Sequence, residues 1–245
     1  MLRAGFQVGN TYRNRLKGPH FPVYKYINRK DLHYWLDEKT VRVDTLVNFA
    51  GQEGQGGKYD PMETKFSDLN VGSVTPGDPH YDLVMENLKT IGFNDGSIYG
   101  VGLRDVTVRR LNTYIYCVTS EYSERMLRQW NDDEEARYDT VIKILDFPLF
   151  CALVQTADFY SNKHFESDAY IDFVKYAQFP LDLQSIRMYY HKFIKEQTAF
   201  GWQKEIRARW RINAKDKDNA PVVSIRVPEL DKIIQVMDVP SAWKR

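Results

Sequence analysis

The sequence predicts an α+β fold with many short strands and few long helices. Two observations carry that reading: short apolar–polar alternations recur along the chain, and few stretches keep a helical period. Of 245 residues, 43% are hydrophobic and 14% aromatic, enough for a substantial core. The expected organisation is an irregular lead-in over 1–20 and a single domain over 21–245, with a loop or lid insertion around 50–100.

The elements follow in order. Residues 23–27 (VYKYI) read as a strand. Asn28 is placed to cap a helix over 29–38, with Leu32, Trp35 and Leu36 on its apolar side. Residues 41–46 read as a second strand. The run from Gly51 to Gly57 is a loop; no Gly-Lys-Ser/Thr follows it, so a phosphate loop is rejected and a lid is the alternative. Residues 67–100 are rich in Gly, Pro, Asp and Asn around a short helix over 81–90. Residues 111–118 (LNTYIYCV) form a strand, 122–131 a helix carrying Met126, Leu127 and Trp130, and 138–145 a strand. Residues 149–160 are apolar throughout and fit a helix or a strand. Residues 169–177 alternate as a strand, and 183–197 read as a helix. Strands over 222–227 and 233–239 close the chain, with Pro228-Glu229-Leu230 opening a short helix between them.

Charge and cysteine usage exclude several classes. The 34 basic and 33 acidic residues leave a formal charge of +1, so global charge favours neither a nucleic-acid coat nor a membrane surface. Cys117 and Cys151 lie in apolar runs and read as buried free thiols in a reducing compartment. No Cys-x-x-Cys and no His/Cys cluster occurs, so no metal site is expected. The N-terminus lacks a hydrophobic signal core and no apolar run reaches the length of a membrane span. A cytoplasmic location and no membrane partner are expected. The five histidines are scattered, which argues against hydrolase triads and zinc enzymes.

The most informative stretch is 200–212, FGWQKEIRARWRI. At period two, Trp202, Ile206, Ala208, Trp210 and Ile212 point one way, with Lys204 as the exception. Gln203, Glu205, Arg207 and Arg209 point the other way. One reading is a solvated charged face with Glu205 paired to a neighbouring arginine. The other is a Gln-x-Glu active-site strand that holds a rigid carboxylate.

Four motifs occur in sequence: Val23-Tyr-Lys-Tyr-Ile27; Tyr59-Asp-Pro-Met-Glu63; Tyr116-Cys-Val-Thr-Ser-Glu121 followed by Leu127-Arg-Gln-Trp130; and Trp202-Gln-Lys-Glu-Ile-Arg207. Together they resemble a bacterial and phage domain family of unknown function with Asp-Pro-x-Glu and Trp-x-x-Glu-x-Arg motifs. Tyr59 and Gln203 depart from that family's asparagine and glutamate. The order also resembles the ADP-ribosyltransferase plan, which implies a split, mixed or antiparallel sheet with peripheral helices.

That resemblance implies NAD as substrate and an unidentified macromolecular acceptor, protein or nucleic acid, with a role as a toxin or a defence or counter-defence factor. Glu205 would be the catalytic carboxylate, stabilising an oxocarbenium-like charge at the ribose. Gln203 would orient the acceptor, and Ser120 would hold Glu205 or the ribose. Lys25, Tyr26, Arg42 and Thr119 would bind the dinucleotide; the first strand carries no arginine or histidine for that task. Residue by residue, commoner roles compete: Thr119-Ser120 as a helix cap, Lys25 and Tyr26 as ordinary strand residues.

Two alternatives stand beside the transferase. One is a catalytically inactive module that binds nucleic acid or protein, with Tyr189-Tyr190 and Arg209-Trp210-Arg211 as stacking groups. The other is a metal-dependent nuclease using Asp44, Asp60, Glu63 and Lys65.

Overall fold

The computed structural model describes residues 21–46, 48, 69–70, 76–79, 81–90, 102–103, 113–131, 138–161, 164–177, 181–182, 194–213 and 220–243. Its strands are β1 (Val23–Ile27), β2 (Thr40–Thr45), β3 (Leu69–Asn70), β4 (Gly102–Leu103), β5 (Thr113–Thr119), β6 (Thr140–Ile144), β7 (Tyr170–Phe173), β8 (Lys175–Ala177), β9 (Leu181–Asp182), β10 (Ile194–Glu196), β11 (Glu205–Arg211), β12 (Val223–Arg226) and β13 (Ile234–Asp238). The helices are α1 (Leu32–Leu36), α2 (Tyr81–Thr90), α3 (Glu124–Trp130), α4 (Phe147–Ser161) and α5 (Gln197–Phe200). The fold is α+β, as expected. The Gly51–Gly57 loop, the Tyr59–Glu63 motif and Tyr189-Tyr190 lie outside the described residues.

The chain divides into two compact units. The first comprises Met1–Tyr59, Asn112–Phe173 and Trp202–Arg245; the second comprises Asp60–Leu111 and Val174–Gly201.

The first unit is built on an eight-stranded sheet ordered β12-β2-β5-β1-β6-β13, with β11 on β5 and β7 on β11. All of its pairings are antiparallel. A strand has two edges, and β11 occupies one edge of β5 from Thr113 to Thr119. β1 and β2 therefore share the other. β1 meets it at Tyr24↔Thr119, and β2 meets it at Asp44↔Ile115 and Thr45↔Tyr114. The sheet forks between these two contacts.

One face of the sheet carries the main core. Tyr116, Val118, Ile206, Ala208 and Trp210 from β5 and β11 join Val23, Ile142 and Ile144. α4 supplies Phe147, Phe150, Cys151 and Val154 to the same core. This helix is the ambiguous apolar run of the sequence. Buried residues occur at consecutive positions from Phe147 to Val154. A helix apolar all round belongs inside a core, and its length favours helix over strand. Phe165 stacks on Trp210 with centroids 4.8 Å apart, extending the core past the end of α4. A smaller cluster joins α3 (Met126, Leu127) to Tyr26, Val141 and Val239.

Local signals account for most boundaries. Ser123, rather than Ser120, caps α3: its Oγ accepts the Met126 N–H at 3.2 Å. Asn28 does precede a helical segment, but a 3₁₀ turn over Arg29–Asp31 comes before the short α1, and only the Asn28 carbonyl takes part, accepting Asp31 N–H at 2.9 Å. The alternation over 169–177 is divided into β7 in one unit and β8 in the other.

The second unit, taken alone, pairs β3 with β4 antiparallel, β3 with β9 parallel and β10 with β8 parallel. The helix expected over 183–197 is replaced at its C-terminal end by β10, and residues 183–193 lie outside the described residues. α2 matches its predicted bounds and buries Val84 and Met85. Among the described residues, no helix is long and apolar enough to cross a membrane.

Two substitutions test this packing. Asp158 is 1% exposed; its carboxylate accepts the Phe165 N–H at 2.9 Å and lies 2.7 Å from His164 Nδ1. Asp158→Ala leaves both partners unpaired and is expected to cost roughly 2–3 kcal/mol in chemical denaturation; an unchanged midpoint contradicts that. The Tyr116 hydroxyl is buried without a hydrogen-bond partner among the described residues. Tyr116→Phe is therefore expected to be neutral or about 1 kcal/mol stabilising, and a clear loss contradicts that assignment.

Candidate functional site

The start of β11 brings together most of the side chains the sequence singled out. Glu205↔Thr119 and Tyr24↔Thr119 set three adjacent strands, β1, β5 and β11, in one line. Thr119, Ser120 and Glu205 thus lie together beside the Lys204 turn, and Lys25 reaches the Cys117 carbonyl from the core side of the sheet. Tyr26 is displaced towards α3, and Arg42 stands apart on β2.

Glu205 is buried at 6% exposure and Arg207 at 2%. They lie two residues apart on one face of β11, and the guanidinium grips the carboxylate with two hydrogen bonds. Arg207 Nε donates to Glu205 Oε1 at 2.7 Å and Nη2 to Oε2 at 3.2 Å. The face that alternation marked as polar is therefore not solvated. Its inner part is an internal ion pair, and only its far end opens to solvent.

Cys117 pairs with Arg207 across the β5–β11 ladder. Its thiol is pushed up to about 12 by burial and by the Glu205 charge. Lys25 completes the cluster. Its Cα partner on β6 is Ile142, in register with Val23 and Ile27 on the core side. Its Nζ donates to the Cys117 carbonyl at 2.9 Å and lies 5.1 Å from the Tyr116 ring centre. At the fork, β1 and β2 do not pair with β5 at Cys117, so the ammonium supplies the donor that a ladder N–H would otherwise provide. Burial holds its pKa below the ordinary lysine value, against the favourable pull of Cys117 and Glu205, while Arg207 adds to the lowering.

Lys204 explains the break in the alternation. It sits in the left-handed region at φ 45°, so the backbone turns there and the strand register begins at Glu205. Gln203, 1% exposed, belongs to the 3₁₀ turn Gly201–Gln203 and not to the strand. The expectation that Gln203 and Glu205 share a strand face is corrected accordingly. The Lys204 carbonyl accepts from Ser120 N at 3.0 Å, Ser120 Oγ at 3.2 Å and Thr119 Oγ1 at 3.4 Å. Ser120 and Thr119 thus anchor the turn that delivers Glu205.

A dinucleotide requires donors that face a cleft. Lys25 and Thr119 commit their polar atoms to backbone groups. The Tyr26 hydroxyl accepts Ser123 N–H at 3.1 Å and lies 3.3 Å from the Glu121 carbonyl. Arg42 is exposed, with its guanidinium 3.7 Å from Asp44. Of the four residues expected to bind a dinucleotide, Lys25, Tyr26 and Thr119 are engaged with the protein's own backbone, and Arg42 faces solvent. Asp44 is also engaged, accepting from Thr45 N at 2.7 Å and Asn48 Nδ2 at 2.9 Å, which is turn chemistry and not a metal cradle. The rest of the nuclease motif lies outside the described residues, which contain no metal-binding group of three or more His, Cys, Asp or Glu. Trp210 is fully buried, so Arg209-Trp210-Arg211 offers no indole for stacking; Arg209 lies over the Tyr170 ring at 5.6 Å.

Cys117 is the site residue that the sequence reading missed. Arg207 was legible only as a counter-ion two residues from Glu205. Cys117 became a neighbour of that pair through strand register.

Three outcomes are expected. Lys204→Gly relieves the left-handed strain and is neutral to about 1 kcal/mol stabilising, whereas Lys204→Val is destabilising; equal effects of the two in denaturation contradict the assigned backbone. Cys151, fully buried, does not react with a thiol reagent in the native protein at pH 8 and reacts after denaturation; native labelling of Cys151 contradicts its place in the core. For pH, the native Cys117 thiol keeps its proton to about 12 whereas an unfolded cysteine loses it near 9.0. Its contribution to stability is full below pH 9 and is lost as pH rises from 9 towards 12. Wild type is expected to lose more stability than Cys117→Ala over that window, and parallel pH profiles contradict the claim.

Compared with known proteins, the chain matches no family model, no curated protein and no solved structure.

Proposed function

We propose that the first unit is a non-enzymatic module that binds a macromolecular partner, with the Glu205 cluster as its internal framework. The observation that carries this reading is the Glu205–Arg207 pair. A carboxylate whose two oxygens are both held by a buried guanidinium is arranged to support a fold, and its neighbours Lys25 and Cys117 are spent on the same task. A protein partner is favoured over nucleic acid by the balanced charge and by the burial of Trp210.

A second reading, an NAD-dependent ADP-ribosyltransferase, draws support from one specific observation. The strands bearing Lys25, Thr119-Ser120 and Glu205 are adjacent. On this reading Glu205 has to exchange part of its bond to Arg207 for substrate.

Calorimetric titration with NAD, run beside an assay for released nicotinamide, separates the two. The binding-module reading expects no binding at millimolar NAD and no release from either the wild type or Glu205→Gln. Binding by the wild type, with nicotinamide release that Glu205→Gln abolishes, contradicts it and establishes the transferase.

A further inference from the structure

We draw no further inference here: the strongest candidate, the buried Asp158 carboxylate bonded to the His164 ring at the C-terminal end of α4, belongs to no group of three or more metal-ligating side chains among the described residues, and its bonds to His164 and Phe165 are accounted for by fastening that segment beside the end of β11.

Discussion

A buried carboxylate has to be compensated, and the first unit is arranged around how Glu205 is. Removing a charge from water costs several kcal/mol unless a partner and good hydrogen bonds replace the lost hydration. Arg207 supplies both from the same strand, because residues two apart on a strand share a face. The guanidinium is then itself buried, so neither group tolerates loss of the other. The pair rests on the β5–β11 ladder, and the Lys204 turn places Glu205 at its first rung. Ser120 and Thr119 hold that turn through one carbonyl.

The same constraint explains the lysine in a strand of apolar neighbours. β1 and β2 share one edge of β5 and leave the Cys117 carbonyl between them. The Lys25 ammonium satisfies it while lying close enough to Glu205 and Arg207 to feel both charges. The fork and the ion cluster are therefore one structural unit. A residue that reads as a ligand in the sequence serves as a substitute for a strand hydrogen bond.

Local physics made much of the fold legible. Alternation identified β1, β5, β6, β11, β12 and β13, and the bounds of α2 agree with its pattern. The ambiguous run from 149 was resolved by burial on all sides, a tertiary fact that periodicity does not carry. The helix over 183–197 gave way to β10 at its end because a parallel neighbour, β8, is available only in three dimensions. At the site, Glu205 and its arginine partner were visible as a pair, but their burial was not. Alternation looks the same on a wet face and on a sheet whose two faces are both covered. Lys204 was the misfit in the pattern, and that misfit was the signature of the turn. Gln203 was misplaced because the alternation was read through it.

Function follows from what the cluster has left to offer. A transferase requires a carboxylate that meets substrate, and here both oxygens meet Arg207. β1, β5 and β11 lie side by side, and the hydrogen bonds of Glu205 fit a framework role. The most direct test is a double-mutant cycle on stability with Glu205→Gln, Arg207→Met and the pair together. The account predicts coupling of roughly 3 kcal/mol, each single change being costly and the double change little worse than either. Additive effects would contradict it, because they would mean that Glu205 and Arg207 do not depend on each other.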